Sequence, residues 1–431
     1  MIQSFQDLAL PQELHNSLAR LEFTTPTPIQ AQSIPHALRG EDVIASAQTG
    51  TGKTLSFVLP MLAKMMTTTE EKAVILMPTR ELAIQVATVV NQLIGKEIKL
   101  KCATLIGGDS MSKQIKALKA SPRIIVGTPG RINDHIMRKS LRLGNATFLT
   151  LDETDRMLDM GFGIQIDTII EQMDPTRQTL MFSATMPKGI VKLAEKYLRN
   201  PQNIEIEVDQ SNLDRISQDF MHVNEGDKLQ VLLNELGHRK GSMVLFVKTK
   251  RKVERIAREL HKENHKVAFI HGDLKQGKRE SVIKRFRQSK FQVLVATDVA
   301  ARGLDVPHVE HVINFDLPQM SEDYIHRIGR TGRAGATGSS LSLVSGEDKN
   351  YYNDIMFMLD PTLEKPKKEG NKSRRRRGGN GNGNGGGRPG KKKFGSKRDS
   401  WSKNSKGKKP AAKKPGKSNT RKTPAKHGVK K

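Results

Sequence analysis

The chain has 431 residues with 73 Lys and Arg against 45 Asp and Glu, a length that allows two or three folded units and excludes a single small module. Residues 361–431 hold 26 basic and 3 acidic residues, so +23 of the formal +28 lies there and +5 is left for residues 1–360. Cys102 is the only cysteine, which excludes an intrachain disulfide; the opening MIQSFQDLAL has no basic stretch followed by an apolar one, and no run is apolar enough to span a bilayer, so a cytoplasmic address is expected.

Between residues 43 and 185 short apolar runs recur: VIASAQTG, AVILMPT, LIGG, RIIVGTPG, FLTLDET and TLMFSAT. Such runs, apolar without alternation and closed by small or turn-forming residues, read as buried parallel strands, and helical patterns such as Glu81 to Leu93 complete βαβ units. The stretch Asn203 to Ser217 is polar without a sustained period and reads as a linker. The rhythm restarts with MVLFVKT, VAFIHG, VLVATD, HVINF and SSLSLV, with helices predicted over Lys250 to Leu260 and Gln276 to Arg287. Two α/β domains are expected, over 1–205 and 217–360, joined by a linker at 206–216. Residues 361–431 contain seven apolar residues in 71 positions and the low-complexity run RRRRGGNGNGNGGG, too little to offset the entropy of ordering a backbone, so a disordered basic tail is expected. A polycation attracts nucleic acid, acidic membranes and anionic proteins alike.

After the strand VIAS comes Ala47-Gln48-Thr49-Gly50-Thr51-Gly52-Lys53-Thr54, which fits a phosphate loop except that Ala47 stands at the first glycine. Gly50 and Gly52 free backbone N–H groups to face phosphate, the next helix offers its positive end, Lys53 a point charge, and Thr54 a magnesium ligand. A hundred residues on, FLTLDETD sets Asp152 and Glu153 at another strand's carboxyl end; they read either as helix-capping acids or, beside a phosphate loop, as a magnesium ligand and a base for the attacking water. In YIHRIGRTGR, Arg327, Arg330 and Arg333 recur every three residues. That spacing suits either an ion-paired surface strip or guanidinium groups aimed at a phosphoryl transition state from a second domain.

These signals fall in one known order, and the chain resembles the DEAD-box RNA helicases over about residues 1–360. The resemblance rests on PTPIQ (26–30), AQTGTGKT (47–54), PTREL (78–82), Gly107-Gly108, TPGR (128–131), DETD (152–155) and SAT (183–185). In the second half it rests on LFVKT (245–249), QGKR (276–279), ATDVAARGLD (296–305) and HRIGRTGR (326–333). It implies two tandem RecA-like parallel-sheet domains before the basic tail, and an ATP-dependent enzyme that binds RNA across both domains and unwinds short duplexes or remodels RNA–protein complexes.

By the same resemblance, Gln30 would read the adenine edge with Phe5 stacked on the ring and Phe23 in the same segment, excluding GTP. ATP and Mg2+ would occupy residues 47–54 and Asp152. Ser183 and Thr185 would relay between Asp155 and the second domain, Asp305 would contact nucleotide, and Arg330 with Arg333 would meet the γ-phosphate. Arg80, Gly108, Thr128, Arg131, Arg279 and Thr297 would touch RNA, mostly at phosphate and sugar. Two positions depart from the family pattern: Thr154 stands where alanine is usual, and Glu22 where glycine is common. The tail, with Phe394 and Trp401 among lysines, reads either as an RNA tether able to stack on bases or as a solubilising polycation. A rival to the helicase reading is an RNA chaperone or clamp whose ATPase only times release.

Overall fold

The protein is described from a computed structural model that covers residues 2–47, 51–206, 215–301, 309–332, 336–360 and 362–363. In the first half, strands β1 (Val43–Ser46), β2 (Lys72–Leu76), β3 (Cys102–Leu105), β4 (Ile124–Gly127), β5 (Ala146–Leu151), β6 (Gln178–Ser183) and β7 (Gln202–Glu205) form one sheet. Their order is β3-β4-β2-β5-β6-β1-β7, and every pairing is parallel. In the second half, β8 (Ile216–His222), β9 (Ser242–Phe246), β10 (Val267–Ile270), β11 (Val293–Ala296), β12 (Val309–Asn314) and β13 (Gly338–Val344) form a second parallel sheet, ordered β10-β11-β9-β12-β13-β8. The chain therefore contains two RecA-like parallel-sheet domains.

Neighbouring residues of a central strand feed opposite cores, which explains why these strands read as unbroken apolar runs. Phe148 packs in one layer with Phe57 and Phe182, while Leu149 packs in the other with Ile125 and Met157. In the second domain Leu245 and Phe246 divide in the same way. The edge strands β7 and β8 have no apolar run, because three of four β7 side chains are exposed and β8 alternates. Both lie at the rims of the stretch read as a linker, and most of the expected 206–216 linker falls outside the described residues.

The strand order fixes the place of the chemistry. Because β1 lies between β6 and β7, and β6 lies beside β5, the carboxyl ends of β1, β6 and β5 meet, with Ser46 opposite Ser183 and Leu151 opposite Met181. The residues after these three strands thus share one crevice, the usual ligand position in an open parallel sheet. No helix among the described residues is long and apolar enough to cross a membrane.

Candidate active site

The phosphate loop is braced from two sides. Lys53 opens the helix Lys53–Thr67, is buried, and donates from Nζ to the Ala47 carbonyl at 2.9 Å. The Ala47 amide in turn donates to the Ser183 carbonyl at 3.0 Å, tying the loop to the end of β6. Gln30 closes the other side: its Oε1 accepts from the Thr27 amide at 2.9 Å and its Nε2 donates to the Gly52 carbonyl at 2.8 Å. Gly52 has φ of 86°, and a Cβ there would sit 2.6 Å from Gln30 Nε2, so glycine is required for both conformation and space. Phe5, expected against adenine, is packed in the core at 2 % exposure, whereas Phe23 in the same N-terminal region is 40 % exposed.

The acids at the end of β5 are set in a tight turn. Asp152 Oδ1 accepts from the Glu153 amide at 3.0 Å, and Glu153 adopts φ of 50°, a conformation unfavourable for a residue with a side chain. Burial pushes Glu153 up to about 7, and the Asp152 charge adds to it, while Lys53, Arg330 and Arg156 pull the other way. Burial also raises Asp152, opposed by Lys53. Thr154 is fully buried, and its hydroxyl lies 3.1 Å from the Phe182 carbonyl and 3.3 Å from that of Leu151, so the extra oxygen has acceptors on both β6 and β5. Asp155 holds the next segment: Oδ2 accepts from the amides of Ala184 and Thr185 at 3.0 and 3.1 Å and from the Thr185 hydroxyl at 3.2 Å. The Ser183 hydroxyl donates to the Thr185 carbonyl at 2.7 Å.

The second domain brings to this crevice the end of its helix Ser321–Ile328 and the turn that follows. Arg330 is buried, and its charge acts on Glu153. His326 keeps some exposed surface, yet the protein around it pushes it down to about 4; Asp155 opposes this, and Arg330, Arg156 and Lys53 reinforce it. Arg327, one turn earlier than Arg330, has a different task. Its guanidinium forks onto Asp298 at 2.6 and 2.8 Å and reaches Asn314 Oδ1 at 3.0 Å and the Asp316 carbonyl at 2.6 Å, joining the ends of β11 and β12. Of the two readings of the arginine strip, Arg327 takes the ion-paired one.

A separate groove of about 320 Å³ is lined among others by Arg80, Gly107, Thr128 and Arg131 from the first domain and by Gly272 and Arg279 from the second. Arg80 opens the helix Arg80–Ile94 and Thr128 caps the helix Pro129–Met137, so two positive helix ends face the groove. Gly108 has φ of 78°, and a Cβ on it would run into the Arg80 guanidinium. Arg131 Nη1 donates to the Asp109 carbonyl at 3.2 Å. Thr297, at the end of β11, accepts from the amides of Ala300 and Ala301. Arg279 is both lining and joint: Nε donates to Glu81 Oε1 of the first domain at 2.7 Å, and Nη1 to the His271 carbonyl at 2.9 Å.

Gln48, Thr49, Gly50, Asp305 and Arg333 lie outside the described residues, as does the tail from 364 onward. Four residues at the site had no role in the sequence reading: Glu81, Arg156, Asp298 and Asp323. Glu81, Arg156 and Asp298 stand inside or next to PTREL, DETD and ATD, and a charged residue inside such a motif was the available signal.

The sequence matches the DEAD/DEAH box helicase family over residues 27–193 and the helicase conserved C-terminal domain over residues 227–335. It is 45% identical over 371 residues to the DEAD-box ATP-dependent RNA helicase CshA of Bacillus cereus, covering 84% of this chain and 70% of that protein. The Bacillus subtilis protein of the same name is 42% identical, covering 82% and 72%. The fold is similar to S. cerevisiae Dbp5 bound to RNA and ADP BeF3, with a TM-score of 0.75 and 34% identity over 84% of this chain and 95% of that one. The chain belongs to the DEAD-box ATP-dependent RNA helicases.

Proposed function

We propose that the chain binds ATP between its two domains and RNA along the separate groove, and that closure around both licenses hydrolysis and the remodelling of short duplexes. The observation that carries this reading is the approach of Arg330, from the second domain, to the buried acid Glu153 in the first. A guanidinium reaching a phosphoryl-transfer site from a separate domain ties turnover to closure.

Lys53 would exchange the Ala47 carbonyl for phosphate oxygen. Glu153, a buried carboxylate raised toward neutrality, would take the proton of the attacking water, and Arg330 with Arg333 would stabilise charge on the transferred group. Asp155 holds the SAT segment through Thr185 and Ala184, and Ser183 and Thr185 would relay from there to the second domain. Gln30 would read adenine and pass its position to the loop through Gly52; the exposed ring of Phe23 offers a stacking face, with Phe5 anchoring the segment from the core. Asp305 would complete the nucleotide contacts.

The donor set fits magnesium. Asp152 and the Thr54 hydroxyl supply hard oxygens, and although no group of three or more His, Cys, Asp or Glu gathers among the described residues, that ion keeps most of its water and needs few protein ligands. When bound, it would supply positive charge against the phosphate oxygens. Arg80, Gly108, Thr128, Arg131, Arg279 and Thr297 would hold RNA by phosphate and sugar, with little base preference. We further assign the tail to added RNA affinity, the domains to 1–205 and 217–360, and the protein to the cytoplasm.

Displacement of one strand of a short RNA duplex, followed with ATP and with a non-hydrolysable analogue, tests the reading. Nucleotide-dependent separation supports it, whereas annealing without separation would favour the chaperone or clamp.

A further inference from the structure

Arg156 follows the DETD tetrad and is 7 % exposed, yet its nearest carboxylate partner lies in the other domain. Its Nη1 stands 3.8 Å from Asp323 Oδ1, beyond hydrogen-bond range, and its Nε makes no hydrogen bond, so charge rather than a forked geometry holds the pair. Glu153, Asp298, Asp159 and Asp155 also attract this guanidinium, Glu153 most, and both Asp298 oxygens are engaged by Arg327; Asp323 is the carboxylate that stands in ion-pair range of Arg156, and it does so across the interface. A buried guanidinium without such compensation is costly.

We infer that Arg156 and Asp323 form an interdomain latch that positions the helix Ser321–Ile328, and through it Arg330, against the first domain. Asp323 lies in the first turn of that helix. Arg330 follows its end, held by its own amide to the Arg327 carbonyl at 3.0 Å and by Nε to the His326 carbonyl at 3.1 Å. Asp323 and Arg330 are seven residues apart, about 10 Å at helical rise, and the turn after the helix is pinned by those two bonds, so a grip on Asp323 fixes the direction from which Arg330 arrives. When the domains part, Arg156 and Asp323 are each rehydrated; the pair therefore acts on the closed state alone and shifts its population. Arg156 and Asp323 are positioning residues, and the inference rests on the reading of Arg330 as the group that meets the phosphate.

The test uses the full chain with fluorophores on the two domains, RNA, and a non-hydrolysable ATP analogue, alongside RNA-stimulated turnover. Arg156→Gln and Asp323→Asn should each reduce the closed fraction and lower kcat by about tenfold, with KM for ATP changed by no more than about threefold. The double variant should be no worse than the more impaired single one, and Arg156→Lys should recover part of the closed fraction. Asp323→Asn is isosteric and its side chain is partly exposed, so it carries the test alone if Arg156→Gln does not fold. Unchanged closure in Asp323→Asn, or losses that multiply in the double variant, would overturn the latch. Arg330→Ala is the separate control: normal turnover there would refute the role of Arg330, while the closure signal would still decide the latch.

Discussion

Arg279 Nε donates to Glu81 Oε1 at 2.7 Å across the two domains, between residues 198 positions apart and both buried. Removing one partner of such a pair leaves the other charge buried, at a cost of about 3–5 kcal/mol to the arrangement that contains it. Here that arrangement is the one in which the two domains meet. Arg279→Ala should therefore raise the RNA concentration needed to stimulate ATP turnover, and so should Glu81→Gln, although the latter removes no cation from the groove. RNA titrations of ATPase rate check this; unchanged or tighter RNA dependence in Glu81→Gln would show that Arg279 acts only as an RNA contact.

Lys53 and Glu153 should fail at different steps. Lys53→Ala removes the loop cation and should abolish productive ATP binding. Glu153→Gln should keep ATP and RNA but lose roughly 10²-fold or more in turnover, the usual loss for a removed catalytic base. Equilibrium binding of a fluorescent ATP analogue, set beside turnover, separates the two, and near-normal hydrolysis in Glu153→Gln would refute its role.

Thr154 departs from the family pattern, yet its hydroxyl has two carbonyls within reach. Thr154→Ala should lose about 1 kcal/mol of first-domain stability, the usual worth of a buried hydrogen bond, while turnover stays within a few-fold. Thermal melting together with ATPase rate checks it. A large gain in rate would mean that the threonine restrains the acids.

How much of this was legible in the sequence follows from the range of each interaction. The central strands were readable because burial on both faces leaves an unbroken apolar run, whereas Asn203 to Glu205 of β7 and Ile216 and Ser217 of β8, on edge strands with exposed positions, fell in the stretch read as a linker. The phosphate loop was readable because its chemistry is local. By spacing alone Arg327 and Arg330 could not be told apart, since both recur in one arginine strip; the positions of Asp298, Asn314 and Asp316 show that Arg327 is ion-paired. Arg279–Glu81 and Arg156–Asp323 join residues distant in sequence; Arg279, Glu81 and Arg156 stand in or beside motifs, but nothing local says which residue each one pairs with.

A chain ending at Asp360 loses +23 of charge and none of the family motifs, so basal ATP turnover should persist while RNA affinity falls. Each phosphate contact contributes a salt slope of roughly −0.7 on single strands, so the intact chain should show the steeper fall of log affinity with log salt. Parallel lines of equal height for the two chains would mean that the tail does not touch RNA.

The most direct measurement is RNA-saturated ATP turnover of the full-length Arg330→Ala variant, with ATP affinity measured on the same preparation. A site shared between the domains requires turnover to fall by roughly 10³-fold, the contribution of an arginine finger, while ATP affinity stays within a few-fold because Lys53 and the rest of the phosphate loop remain in place. Turnover at the unmodified rate would contradict the shared site and place the whole of catalysis in the first domain.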